Sequence, residues 1–378
     1  MTQEEYFGLG SLRHLPEVLK RAGVSKIFLL TGKSSYKISG AEALVGEALQ
    51  GYEVTVFRDF TENPKLEDVE KGMRALKESG SEVVLAVGGG NVIDVAKSIN
   101  ILAAQPGDPE AIVKGEQAIV NKGVPMIAVP TTAGAGSEAT HFAVVYLDKN
   151  KYSIAHPHVL PDVAIVDPRL TFNLNPGVTA TSGIDVLCQS VESHWNVHAT
   201  EVSRAYSAEA IGLVLAHLET AVNRPTEGSR VGMAKAANLA GKAINITKTT
   251  APHALSYTLT SYFGVPHGQA VSVTLGAFLE YNHAVTEVDA LGAGGARAAK
   301  ASVDAVIALL GCAGPKQARE KIAALMTSIG LKTRLSELGA KTDADLDLMM
   351  DNVNLERLKN NPRVVTREGL RTLLRSLL

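Results

Sequence analysis

Cysteine is nearly absent: Cys188 and Cys312 are the only two in 378 residues. That excludes a disulfide framework and a Cys-rich zinc site, leaves at most one pair, and suits reducing conditions. Aromatic residues make up 5% of the chain and neither charge sign dominates, with 37 Lys+Arg against 39 Asp+Glu. Such a chain lacks both the basic field that holds phosphate backbones and the stacking platforms of a single-strand binder, so no nucleic acid is expected as a partner. No uninterrupted apolar run is long enough to cross a bilayer, and no membrane partner is expected. The opening MTQEEYFGLG is acidic and has neither a positive n-region nor an apolar h-region, so the expectation is a soluble cytoplasmic protein. Hydrophobic residues, by contrast, form 46% of the chain, enough for one or two packed cores.

Short β-rich runs occupy residues 24–30 (VSKIFLL), 52–57 (YEVTVF), 82–87 (EVVLAV), 125–130 (PMIAVP) and 163–166 (VAIV). Stretches with helical spacing lie between several of them, at 66–77 and 92–104. This alternation predicts an α/β domain with a mostly parallel sheet, helices on its faces and ligands at the carboxyl ends of the strands. Beyond Pro176 the texture changes to Ala/Leu-rich helical composition, at 178–198, 201–223, 231–245 and 298–310. The Gly/Ala-rich piece at 290–299 reads as a loop entering a helix. Turn chemistry at Asp167-Pro168 and Asn175-Pro176-Gly177 places the boundary, giving an α/β domain over 1–175 and an all-helical one over 176–378. A cleft between two such domains is the natural place for a site.

The run EVVLAV leads straight into Gly88-Gly89-Gly90-Asn91 and then a helix carrying Asp94 and Lys97. Glycines let backbone N–H groups approach an anion, and the helix N-terminus adds a positive dipole end. The pattern fits a dinucleotide pyrophosphate, but it is not GxGxxG and also reads as a plain tight turn. Gly32-Lys33-Ser34 imitates the end of a P-loop, yet Ile27 stands where that motif needs its first glycine, which removes an ATPase reading. A second polar loop, Pro130 through Glu138 (PTTAGAGSE), follows the run PMIAV. It reads either as a helix-capping loop or as part of the same ligand site.

In the helical half, Asp185 and Gln189 stand at i and i+4 and share a helix face. His253 and His267 would be roughly 21 Å apart on one unbroken helix. Gly264-Val265-Pro266 is a chain-breaking segment just before His267, which allows the chain to return. An Asp plus two His suits Fe²⁺ or Zn²⁺ with a position left open for substrate. His194 with His198, and His156 with His158, are competing pairs.

Together these residues resemble the iron-containing (group III) alcohol dehydrogenase family. GGGNVIDVAK at 88–97 is similar to its GGGSxxDxAK loop, PTTAGAGSE at 130–138 to PTTxGTGSE, and DVLCQ at 185–189 to its D-x-x-x-H ligand pair. His253 and Pro266-His267-Gly268 match its two later histidines. FGLGSL at 7–12, ENP at 62–64 and VDPRLT at 166–171 extend the likeness over nearly the whole chain. The resemblance implies an N-terminal Rossmann-like domain binding NAD or NADP and an all-α C-terminal domain holding one divalent metal. It implies that Gly32, Gly88, Gly89, Gly90, Asn91, Asp94, Lys97, Thr131, Thr132 and Ser137 face the cofactor. Asp185, Gln189, His253 and His267 would form the metal set, and Asp94, Tyr257 and His267 the catalytic set. A homodimer is expected by the same analogy.

Three departures bear on the chemistry. Gln189 stands where the family has a histidine ligand, Asn91 where it usually has Ser, and Tyr257 where many members have a histidine four residues after the ligand. A Tyr hydroxyl or water must then relay the proton. Lys248, five residues before His253, reads either as a solvent-facing lysine or, with Thr249, as a clamp for an anion. With CQSVESHW at 188–195 it resembles the branch that reduces phosphonoacetaldehyde or sulfoacetaldehyde. The expected reaction is reduction of such an aldehyde to its alcohol, the alternatives being a general short-chain alcohol dehydrogenase, a dehydroquinate synthase-like lyase and a non-catalytic cofactor-binding protein. Thr31-Gly32-Lys33-Ser34 carries no Asp to accept from a ribose 2′-OH, which leaves NADH and NADPH both open.

Overall fold

The computed structural model describes residues 3–61 and 63–378, so the first residue of the 62–64 segment, Glu62, lies outside the described residues. The chain forms two compact units, one ending at Leu174 and one spanning Asn175–Leu378.

The first unit runs β1 (Glu4–Phe7), α1 (Leu15–Ala22), β2 (Lys26–Thr31), α2 (Ser35–Ile38), α3 (Ala41–Ala48), β3 (Glu53–Phe57), α4 (Leu66–Ser79), β4 (Val83–Gly88), α5 (Gly90–Ala103), α6 (Pro109–Lys114), β5 (Met126–Pro130), β6 (Phe142–Leu147), β7 (Asn150–Ala155) and β8 (Val163–Val166). Six strands form a parallel sheet in the order β1-β8-β5-β4-β2-β3, while β6 and β7 make a separate antiparallel hairpin. The period-2 alternation sorts each strand between two cores. Phe28, Leu30, Val84, Ala86, Met126 and Ala128 pack with α4 and α5 on one face. Ile27, Leu29, Val83, Leu85, Ile127 and Val129 pack with α1 and α3 on the other. A sheet covered on both faces needs near-continuous apolar strands, which is why these runs stand out in the sequence.

Three strands escaped the sequence reading. β1 is an edge strand whose Glu4-Glu5-Tyr6-Phe7 is mostly half-buried and pairs with β8 alone. The β6–β7 hairpin turns at Asp148, which adopts φ 53°. An Asp-Lys pair at such a turn lacks the Asn-Gly signal that marks most hairpins. The segments at 7–12 and 166–171 meet where β1 and β8 end: the buried Asp167 carboxylate accepts from the backbone N–H of Gly10 and Leu12, both at 3.2 Å, and pairs with Arg169.

The second unit is helical: α7 (Pro176–Trp195), α8 (Glu201–Asn223), α9 (Glu227–Thr247), α10 (Ala251–Phe263), α11 (His267–His283), α12 (Gly295–Leu309), α13 (Pro315–Ser328), α14 (Asp343–Asp351), α15 (Leu355–Leu358) and α16 (Arg367–Arg375). Starts are set by side-chain caps: Asn175 accepts from Val178 N–H at 2.8 Å, and Thr200 with Ser203 and Thr226 with Ser229 form capping boxes. α10 ends at Gly264, φ 69°, and Pro266 precedes α11, so the chain reverses within a few residues. No helix among the described residues is long and apolar enough to cross a membrane. Both cysteines are free thiols, Cys188 buried and Cys312 partly so.

Candidate cofactor and metal sites

In the first unit, β2, β4 and β5 are neighbours and parallel, so the loops that follow them emerge at one end of the sheet. Gly32 follows β2, Gly88 to Gly90 close β4 and open α5, and Thr131 and Thr132 follow β5. The chain runs outward from β2 to β3 on one side and from β4 to β5 on the other, which makes the β2/β4 boundary a topological switch point. None of Gly88, Gly89 and Gly90 has a positive φ. Gly88 is small because α5 turns back on it, a Cβ there lying 2.4 Å from Val92 Cγ2, whereas the next two glycines let the second loop approach: a Cβ on Gly89 would lie 3.2 Å from Thr132 Cγ2, and one on Gly90 would lie 2.9 Å from Ala135 Cβ. Thr131 N–H donates to Gly88 O at 3.0 Å, and Thr131 Oγ1 is buried without a hydrogen-bond partner. Asn91, in the first turn of α5, is exposed. A backbone turn at a helix N-terminus, flanked by a buried unsatisfied hydroxyl, fits a nucleotide pyrophosphate.

Asp94 and Lys97, which the motif puts at the cofactor, both make contacts within the protein. Lys97 is 1% exposed. Its ammonium donates to Ser137 O, Thr140 O (2.6 Å), Thr140 Oγ1 (3.1 Å) and Phe142 O (2.9 Å). Burial pushes its pKa down to about 8. Asp94 accepts from Val144 N–H at 3.3 Å and from the Ser137 hydroxyl, and burial raises its pKa. Three residues apart on one face of α5, the two side chains tie that helix to the 137–144 segment.

In the second unit, Asp185 on α7, His253 on α10 and His267 at the start of α11 converge. One ligand atom from each lies within 4.8 Å of the others. The two rings have centroids 5.4 Å apart, and His253 Nε2 is 3.4 Å from Asp185 Oδ1. The reversal at Gly264-Val265-Pro266 makes this possible, and Gly268 completes it. A Cβ there would sit 1.8 Å from Thr181 O and 3.1 Å from Asp185 Cβ, so only glycine lets α11 reach α7. One carboxylate and two imidazoles in a mostly buried setting suit Fe²⁺ or Zn²⁺.

Gln189 meets the cluster through its amide nitrogen: Nε2 donates to Asp185 Oδ2 at 2.9 Å, as a neighbour of an accept-only carboxylate must. A ligand would have to present its oxygen. Tyr257 is half-buried on α10, one turn beyond His253. The sequence reading missed Glu192. It is fully buried on α7, and Oε1 lies 2.5 Å from His253 Nδ1. Its signal was present: Asp185, Gln189 and Glu192 fall at 0, +4 and +7, one polar stripe on a largely buried helix.

Lys248 forms the junction of α9 and α10 at φ 63°, ψ −172°, a region close to glycine-only. Its N–H donates to Ile244 O at 2.7 Å, and its carbonyl accepts from Thr247 Oγ1 at 2.8 Å, which hold it there. Its Nζ is 3.3 Å from Glu356 Oε1. Thr249 is buried, its carbonyl accepting from Asn360 Nδ2 at 2.9 Å. The competing histidine pairs do not join a ligand cluster among the described residues. His194 Nδ1 bonds Ser207 Oγ at 2.9 Å, His198 lies past the end of α7, and His158 N–H donates to His156 Nδ1.

Comparison with known proteins bears on both units. Residues 2–168 match the family model for iron-containing alcohol dehydrogenase, and residues 179–378 match the model for the C-terminal region of Fe-containing alcohol dehydrogenases. A phosphonoacetaldehyde reductase of Streptomyces viridochromogenes is 35% identical over 311 residues, covering 80% of this chain and 77% of the relative. Long-chain-alcohol dehydrogenase 1 of Geobacillus thermodenitrificans is 35% identical over 280 residues, covering 73% and 71%. The crystal structure of sulfoacetaldehyde reductase from Bifidobacterium kashiwanohense in complex with NAD⁺ superposes with a TM-score of 0.86 at 30% identity, covering 99% of this chain and 96% of that one.

Proposed function

The chain belongs to the iron-containing alcohol dehydrogenase family and is an NAD(P)-dependent, metal-containing oxidoreductase, and from that premise we propose that it reduces an anionic two-carbon aldehyde. Sulfoacetaldehyde, giving isethionate, and phosphonoacetaldehyde, giving 2-hydroxyethylphosphonate, are the substrates proposed. The convergence of Asp185, His253 and His267 carries the reading, since a carboxylate and two imidazoles gathered in a buried setting suit a Lewis-acidic metal. The two relatives that act on phosphonate and sulfonate aldehydes support the substrate class.

When bound, the divalent metal supplies Lewis acidity to the aldehyde oxygen and the reduced dinucleotide supplies the hydride. Asp185, His253 and His267 would hold the metal. The Gly88–Gly90 turn and the first N–H groups of α5 would hold the pyrophosphate, with Gly32, Thr131 and Thr132 beside it. Tyr257 is the hydroxyl proposed to return a proton, directly or through water, to the product oxygen. Lys248 and Thr249 would hold the sulfonate or phosphonate. Assembly as a homodimer in the cytoplasm belongs to the same proposal.

A second reading, a dehydrogenase of uncharged short-chain alcohols, has one observation in its favour: Glu356 already faces the Lys248 ammonium. A panel of sulfoacetaldehyde, phosphonoacetaldehyde and propanal decides between them. It is run with NADH and with NADPH, in the presence of Fe²⁺, Zn²⁺ or chelator. The expected result is metal-dependent oxidation of the reduced cofactor with higher kcat/KM for the charged aldehydes. Equal kcat/KM for propanal selects the second reading, and the absence of net cofactor oxidation with any aldehyde overturns both.

A further inference from the structure

Glu192 carries no role in the reading above, yet it is fully buried, and a buried carboxylate is costly unless every lone pair is used. Its two oxygens serve different partners. Oε2 accepts from Thr250 N–H at 2.7 Å, from Thr250 Oγ1 at 2.9 Å and from His253 N–H at 3.5 Å, which satisfies the open N-terminus of α10. Oε1 lies 2.5 Å from His253 Nδ1. Capping α10 requires only the first oxygen, so the second is an independent contact with the ring.

The direction of the hydrogen bonds is fixed by chemistry. Trp195 Nε1 can only donate, and it does so to Thr250 Oγ1 at 3.1 Å, which turns the threonine proton toward Glu192. Glu192 Oε2 therefore accepts from all its partners, and the proton between Oε1 and Nδ1 belongs to the imidazole, because a carboxyl group is the stronger acid of the two. Oε1 thus holds a hydrogen on Nδ1 of His253, and the lone pair of a neutral imidazole is then on Nε2, the atom 3.4 Å from Asp185 Oδ1. Histidines that ligate metals characteristically donate their other N–H to a carboxylate or carbonyl.

We propose that Glu192 is a positioning residue for the metal site: by holding Nδ1–H of His253 it fixes the tautomer and the ring plane that present Nε2 to the ion. This rests on reading Asp185, His253 and His267 as the ligand set. A glutamine at 192 cannot replace it, because one of its two polar atoms becomes a donor facing either the Thr250 donors or the His253 N–H.

The test is Zn²⁺ affinity of the full-length protein, measured by competition with a chromophoric chelator, for wild type, Glu192→Gln, Glu192→Asp and Thr250→Val. NADH affinity is measured in parallel, together with the visible spectrum of the Co²⁺-substituted forms. The expected result is Zn²⁺ affinity lowered roughly 10–100-fold in Glu192→Gln and partly recovered in Glu192→Asp. The Co²⁺ bands should shift in Glu192→Gln while NADH affinity stays unchanged. Thr250→Val, which leaves the carboxylate in place but loses one donor to it, should weaken Zn²⁺ roughly fivefold, and it serves if Glu192→Gln does not fold. Zn²⁺ affinity unaltered in the folded variants, with only thermal stability reduced, assigns Glu192 to helix capping and overturns the proposal. Wild-type protein that binds no stoichiometric Zn²⁺ overturns the ligand set itself, a distinguishable failure.

Discussion

Asp185 Oδ1 and His253 Nε2 stand 3.4 Å apart on two different helices, and the opposite nitrogen of the same imidazole faces Glu192. Without a metal, this ring sits between two carboxylates. Burial works to lower its pKa, but the charges of Glu192 and Asp185 outweigh that and raise it to about 10.

Metal uptake must therefore expel a proton from His253. Zn²⁺ affinity should rise about tenfold per pH unit between pH ~6.5 and ~10, with roughly one proton released per ion at neutral pH. Calorimetry in buffers of different ionisation enthalpy measures this. The sign for metal-free protein is the opposite. A pKa raised above its unfolded value gives stability that is complete below pH ~6.5 and lost as the pH climbs through ~10. The melting temperature of the chelated enzyme should fall across that window, and an affinity independent of pH would contradict the imidazolium.

His267→Ala removes one imidazole from the set. It should lower kcat/KM at least ~100-fold, about 2.7 kcal/mol of transition-state stabilisation, and abolish stoichiometric metal. NADH affinity should be nearly intact, because the dinucleotide is assigned to the other unit. Full turnover by metal-free protein would defeat the assignment.

Gly268→Ala places a methyl 1.8 Å from Thr181 O and must push the start of α11 away from α7. The expected cost is about 1–3 kcal/mol, read as a lower midpoint in urea, together with weaker metal binding. Gly264→Ala, strained only by its φ of 69° and with no heavy atom nearby, should cost stability without a comparable loss of metal affinity.

Lys97→Met leaves the carbonyls of Ser137, Thr140 and Phe142 without the ammonium and Asp94 without its counter-charge. Destabilisation of ~3–5 kcal/mol is expected, with weaker NADH binding as the 137–144 segment loosens. Weaker NADH binding at undiminished stability would instead put the lysine on the cofactor.

Lys248→Gly and Lys248→Ala separate backbone from charge. Glycine relieves the φ of 63° and should stabilise by ~1 kcal/mol, whereas alanine should not. Both should lose the preference for charged aldehydes over propanal. Retention of that preference in both variants would remove Lys248 from the substrate site.

Legibility followed apolar and β-branched composition. β2, β4, β5 and β8 were readable because a sheet covered on both faces makes nearly every position apolar, and the edge strand β3 because it alternates Val54 and Val56 with polar residues, whereas Glu4-Glu5-Tyr6-Phe7 of β1, at the opposite edge, makes no such run. The i, i+4 spacing placed Asp185 and Gln189 on one face, but spacing could not say that the amide would point its nitrogen at the carboxylate. The GGGNVIDVAK motif marked a turn, yet Asp94 and Lys97 read the same in sequence whether they face a ligand or a neighbouring loop.

From the order of its residues alone, this polypeptide determined the strands of the sheet centre, the alternation of α/β and helical halves, where the chain breaks, and which donors are available, because those follow from local dihedral preference and periodicity. Only the tertiary structure decided which donors meet. The approach of His267 to Asp185 depends on the absent Cβ at Gly268, and the orientation of His253 on a carboxylate from another helix, and such contacts arise only when distant helices pack.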